Sequence, residues 1–250
     1  MRKLSRAATA FRPAWALVFS ALIPLTASCS GVVAGAAHPT PNLKPRPLTG
    51  VTIEEVMLSD TELSRSFGQK FRIGEPVRFG GPPELLWGWL GTAQSDCSGL
   101  SHILMGEVYT NAQVVNVTHE QWTDDATAEQ QLPTVLDLDE GVVALPTMGA
   151  ADALFSKFRA QWSRCGGARI ESGIGYHDEV GEVHADASTV EATVTVVDPD
   201  TRLRKSRAVG VRDNCIVEVA VTYFLETAPA PGHSASDVAR QMLNKIGDHA

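Results

Sequence analysis

Cysteine, aromatic residues and positive charge are all scarce in this chain, and each shortage narrows what it does. Four cysteines in 250 residues are too few for a disulfide-dense scaffold, so a hydrophobic core must carry the fold. Lys and Arg number 21 against 29 Asp and Glu, a formal charge of −8. Removing Arg2, Lys3, Arg6 and Arg12 with the first 28 residues leaves 17 against 29, or −12. That balance argues against nucleic acid and against an electrostatic hold on anionic lipid. Several catalytic signatures are missing: G-x-S-x-G, H-E-x-x-H, S-x-x-K, the Walker loop and G-x-G-x-x-G. Past the N-terminal segment, no apolar stretch is long enough to span a bilayer.

That segment has a cationic start, an apolar run from Ala14 to Ile23, and then Pro24, Leu25, Thr26, Ala27 and Ser28 before Cys29. This is the order of a secretory signal, and the apolar run is short for a membrane span. The small residues before Cys29 resemble a bacterial lipobox, in which the cysteine is acylated and becomes the new N-terminus. Thr26 departs from that pattern, because Leu, Val or Ile is usual three places before the cysteine. Residues 1–28 are thus expected to be a lipoprotein signal peptide and Cys29 the lipidated residue, with palmitate-type acyl chains holding the protein to the cell membrane on its extracytoplasmic face. Residues 29–47, with Pro39, Pro41, Pro45 and Pro47, read as a tether reaching roughly 60 Å at full extension.

The folded domain is expected over residues 48–250. Ser59, Asp60, Thr61 and Glu62 form a capping box before a short helix that Gly68 stops. Between Arg72 and Gly91 the sequence is rich in Gly and Pro, and its Trp87 and Trp89 are candidates to line a ligand cleft, with core packing of a long loop as the plainer reading. Leu100 to Tyr109 has the look of a helix. Val142 to Leu145 reads as a buried strand, and Pro146 with Thr147 opens a central helix. There Leu154, Phe155, Phe158, Trp162 and Cys165 share one face. Strands follow at Val190–Val196, Arg207–Arg212 and Cys215–Phe224, the last two joined at Asp213 and Asn214 as a hairpin. Ser234 caps a final helix with Val238, Met242 and Ile246 on its apolar face.

Three polar constellations invite chemistry. Cys97 with His102 makes a thiol and base pair without an indicated orienting group, and a helical surface explains them better. Tyr176, His177, Asp178, Glu179, Glu182, His184 and Asp186 mix imidazoles with carboxylates, but their spacing matches no defined metal site and suits a solvated acidic loop. Arg202, Arg204, Lys205 and Arg207 form a basic run read as a solvated turn, with an anionic ligand as the alternative. No metal, cofactor or catalytic residue is assigned.

The lipobox, the Pro-rich tether, the S-x-x-E-L helix, the early D-C-S-G, the Q-W-S-R-C-G-G ending the central helix, Asn214-Cys215-Ile216 and the final amphipathic helix together resemble the PknH-like extracellular sensor domain. That domain is found outside the membrane in a mycobacterial receptor serine/threonine kinase and in many mycobacterial lipoproteins. The resemblance implies an α+β fold, an antiparallel sheet with flanking helices and a cleft, and an unidentified extracellular ligand without catalysis. It also implies a disulfide between Cys165 and Cys215, leaving Cys97 as a buried free thiol or a partner for another chain. The expected function is a lipid-anchored, sensor-like lipoprotein whose cleft holds an apolar or cell-envelope ligand. The alternatives are an adaptor docking on a membrane or envelope protein through a flat apolar patch, or a cell-wall hydrolase with convergent, pKa-perturbed polar groups.

Overall fold

A computed structural model describes residues 46–87, 96–125, 134–173, 175–224 and 230–249. The expected signal peptide, Cys29, the tether up to residue 45 and Trp89 lie outside these. Eight strands form one sheet in the order β1-β2-β3-β8-β7-β6-β5-β4, with every neighbouring pair antiparallel. They are β1 (Phe71–Gly80), β2 (Asn116–Asp124), β3 (Val135–Ala144), β4 (Arg169–Gly173), β5 (Tyr176–Ala185), β6 (Thr189–Val197), β7 (Arg202–Arg212) and β8 (Cys215–Tyr223). The helices are α1 (Asp60–Phe67), α2 (Met148–Trp162) and α3 (Ala235–His249). The α+β expectation, an antiparallel sheet with flanking helices, is the architecture found.

Strand alternation splits the apolar residues between two cores, one on each face of the sheet. On one face α3 sends Val238, Ala239, Met242 and Ile246 against Cys215, Val217, Val219 and Val221 of β8, and the 3-10 turn Gly50–Val56 with α1 extends this cover. On the other, Leu154, Phe155, Phe158 and Trp162 of α2 pack on Val190, Ala192, Val194, Val209, Val211 and Ile216. Two of the three predicted helix starts show how the caps work. Ser59 Oγ accepts from Glu62 N–H while the Glu62 carboxylate accepts from Ser59 N–H, and Thr147 Oγ1 accepts from Ala150 N–H.

The two faces correct the expected disulfide. Cys215 belongs to the α3 core and Cys165 to the α2 core, so the sheet itself stands between them. Cys165 is joined instead to Cys97, with Cα atoms 5.7 Å apart, and Cys215 is the buried free thiol. Burial pushes the Cys215 thiol up to about 12, with Asp213 adding to it, so it stays protonated and inert at neutral pH.

Three further segments differ from expectation. The Gly/Pro-rich stretch after Arg72 begins as β1, an edge strand, where Gly74 and Pro76 are tolerated and the register shifts twice. Residues 98–112 are a short 3-10 turn, Ser98–Leu100, followed by turns instead of a helix. The acidic segment at 176–186 is mostly β5, in which buried His177 lies beside Glu179 and exposed His184 beside Glu182.

Candidate functional site

On the α2 face the cover is incomplete. The helix and the 98–112 segment close the part of the sheet near the β3 C-terminus, and a cleft of about 370 Å³ is left over the first half of β3 and the neighbouring strands. Its floor comes from alternate residues that share this face: His119 and Gln121 of β2, Asp137 and Asp139 of β3, Ala220 and Thr222 of β8, and Leu203 and Lys205 of β7. The irregular edge strand adds Glu75 and Arg78, an instance of a bulge re-aiming side chains. Ser101, His102 and Ile103 form a wall.

That wall is hung on two cations of one strand. Arg207 donates to the carbonyls of Gly99 at 2.9 Å, Leu100 at 3.2 Å and His102 at 3.0 Å, and Lys205 donates to Ser101 O at 3.0 Å. The carbonyls of residues 99 to 102 are thereby all held from below. Arg207 is fully buried, pairs with Glu218 at 3.1 Å and lies 5.6 Å from the Trp162 ring of α2. The other Glu218 oxygen accepts from Tyr109 OH at 2.6 Å and Leu104 N–H at 3.1 Å. The Cys97–Cys165 bridge ties the start of the same segment to the end of α2. The basic run read as a turn is therefore strand β7. Its Arg202 lies outward on Glu179, while Lys205 and Arg207 face in and build the cleft.

The floor is pre-organised by hydrogen bonds. Arg78 lies 2.9 Å from His119 Nδ1; a guanidinium only donates, so that nitrogen accepts and the ring proton sits on Nε2, 3.4 Å from Asp139 Oδ1. Gln121 Nε2 also donates to Asp139, at 3.2 Å. Burial raises the Asp137 pKa and Asp139 adds to this, while Thr222 and Lys205 oppose it. Burial lowers Lys205, against the pull of Asp178, Asp137 and Asp139. His102 is pushed down to about 3 by burial and by the positive charges of Lys205 and Arg207, so it is neutral. Ser101 is fully buried, and its Oγ meets no hydrogen-bonding partner.

Trp87 is 57% exposed and lies outside this lining, although its neighbour Leu86 belongs to it. Its indole covers Gly106, where a Cβ would collide with the ring. Sequence reasoning missed Asp137, Asp139 and His119, for which the signal available was the alternation of polar residues along 116–124 and 135–144, and had Lys205 only as part of the basic run. Among the described residues no group of three or more His, Cys, Asp or Glu is placed to hold a metal, and no helix is long and apolar enough to cross a membrane.

The sequence matches the PknH-like extracellular domain family over residues 48–245. No curated protein matches it. Among solved structures, the extracellular domain of PknH from Mycobacterium tuberculosis is similar at 16% identity and a TM-score of 0.63, covering 82% of this chain and 100% of that one. A putative uncharacterized protein from Mycobacterium smegmatis aligns at 13% identity over 79% of this chain and 95% of its own, with a TM-score of 0.35.

Proposed function

Since this chain belongs to the PknH-like extracellular domain family, we propose that it is an extracytoplasmic, sensor-like lipoprotein that binds a small envelope ligand in the polar cleft and does no chemistry on it. The observation that carries this is the pre-organised floor over a 370 Å³ space, walled by a segment anchored independently of any ligand. Acylation of Cys29 after removal of residues 1–28, with residues 29–47 as tether and the domain from Leu48, supplies the membrane attachment. Trp87 follows the lining residue Leu86 in the chain and stands at the edge of the site. Of the expected apolar or cell-envelope ligands, an envelope molecule with a polar group fits best, because His119, Gln121, Asp137, Asp139, Lys205 and Thr222 make up most of the floor.

The hydrolase alternative asks for convergent, perturbed polar groups, and the cleft has them. Their connections favour binding nonetheless. Both nitrogens of His119 are engaged, His102 is neutral and low, and Ser101 Oγ has no base beside it. The perturbations come from burial in a structural array.

Native mass spectrometry of the protein taken from an envelope-producing host, before and after organic extraction, tests the reading. A reproducible extra mass is expected in the wild type and not in Leu203→Trp, which fills the cleft. A clean mass in both would move the weight to an adaptor role. Cys29→Ala is expected to release the protein from membranes; retention without that thiol overturns the anchor.

A further inference from the structure

We propose that the ligand carries an ammonium group on a short aliphatic body, with the positive group over Asp137 and Asp139. This rests on the cleft being the binding site and names what it selects. The argument is the way the charges in the lining are engaged. Its two cations spend their hydrogen bonds mainly on neutral acceptors: Lys205 on the Ser101 carbonyl and Arg78 on His119 Nδ1, with Glu75 at 3.8 Å from Arg78. The carboxylates on β3 accept from neutral donors, Asp139 from Gln121 and Asp137 from Thr222, with His119 Nε2 3.4 Å from Asp139 and Lys205 acting on both acids through its charge alone. Asp178, itself buried, adds a further negative charge felt by Lys205.

Three lining carboxylates therefore face two lining cations, and the Asp137–Asp139 pair is left repelling across one strand position. A carboxylate in a partly desolvated site gains most from a cation brought to it. Ser101 gives a second, independent sign of a polar ligand group: its fully buried hydroxyl in the lining meets no hydrogen-bonding partner among the described residues, and beside its own O–H it has a lone pair to accept from an N–H. The rest of the lining fits the body of such a molecule. Leu86, Ile103, Val196, Leu203 and Ala220 form an apolar side beside the acids.

The test is calorimetric titration of the whole purified protein, after organic extraction, with three probes of one length: hexylammonium, 1-hexanol and hexanoate. Hexylammonium is expected to bind and hexanoate not to. Asp137→Asn with Asp139→Asn is expected to weaken hexylammonium at least about tenfold, with Asn keeping the acceptor oxygens. Glu75→Gln, on the exposed rim, should weaken it by about twofold and serves if the double variant does not fold. Hexanol or hexanoate binding as tightly as hexylammonium overturns the proposal, as does hexylammonium binding that the acid variants leave unchanged. If none of the three binds while Leu203→Trp still removes the envelope-derived mass, the amine class fails and the cleft reading stands. If that mass survives Leu203→Trp, the cleft reading fails too.

Discussion

On the α3 side of the sheet, ionisable groups are sealed into the core, while on the α2 side, beyond the sealed Arg207–Glu218 pair, they gather along a space that stays open. Glu140 shows the first mode. It is fully buried, its oxygens accept from Leu58 N–H at 3.2 and 3.3 Å, and Trp122 Nε1 donates to it at 3.2 Å. Glu120 lies directly opposite on β2. These bonds fasten the start of the domain to the sheet, and Lys245 of α3 adds a clamp on Met57 O. One residue earlier on β3, Asp139 faces the other way and its side chain is 23% exposed. Adjacent positions of one strand thus serve a seam and a site, and the difference is the cover. Helix α3, α1 and the Gly50–Val56 turn between them span the strands on one face, whereas α2 and the wall at 98–112 leave the β1–β3 side of the other uncovered.

The largest expected effect follows from breaking the wall. Arg207→Met strands Glu218 and frees the carbonyls of residues 99 to 102, which should cost about 3–5 kcal/mol. Denaturant unfolding measures it, and a loss under about 1 kcal/mol would show that the wall is held by packing alone. Next comes the bridge. Cys97 and Cys165 are 68 residues apart, so Cys97→Ser with Cys165→Ser should lose about 4 kcal/mol on chain entropy. Peptide mapping should recover Cys97 joined to Cys165, and a peptide joining Cys215 to either would contradict the separation of the two faces.

The sealed face has a pH signature of its own. Burial lifts the Glu140 pKa from 4.5 to about 8, with Glu120 adding and the Leu58 and Trp122 bonds opposing, and burial lifts Glu120 to about 6. Between 4.5 and 8 the folded protein holds a proton on Glu140 that the unfolded chain has released. Stability therefore falls as pH rises through that window, by at most about 1.4 kcal/mol per pH unit from this group, and levels off above it. Glu140→Gln should flatten the slope; an unchanged slope would place its origin elsewhere. The smallest effect belongs to the open face: Ser101→Ala removes a hydroxyl without a partner and should change stability by no more than about 0.5 kcal/mol.

Much of the frame was legible in the residues. The stripe Leu154, Phe155, Phe158 and Trp162 is buried as its spacing demands, the boxes at Ser59 and Ser234 start helices, and Asp213 with Asn214 turns β7 into β8. Part of what escaped notice has one cause: a strand with charged residues on both faces looks like a loop. Lys205 and Arg207 face the cleft side and Arg204 the α3 side, so the alternation of β7 vanishes in a basic run. Asp137 and Asp139 do alternate with buried Leu138, but that pattern marks any strand with one wet face. Cys165 and Cys215 could be paired only by analogy, because which face of a sheet a cysteine occupies is set by register across strands distant in sequence.

The most direct test compares the two faces in one experiment, hydrogen–deuterium exchange on protein isolated with and without organic extraction. The account predicts that extraction speeds exchange at residues 99–104, 137–139 and 203–205 and leaves α3 and Met57–Leu58 unchanged. Equal exchange at the cleft, or a change confined to the α3 side, would contradict it.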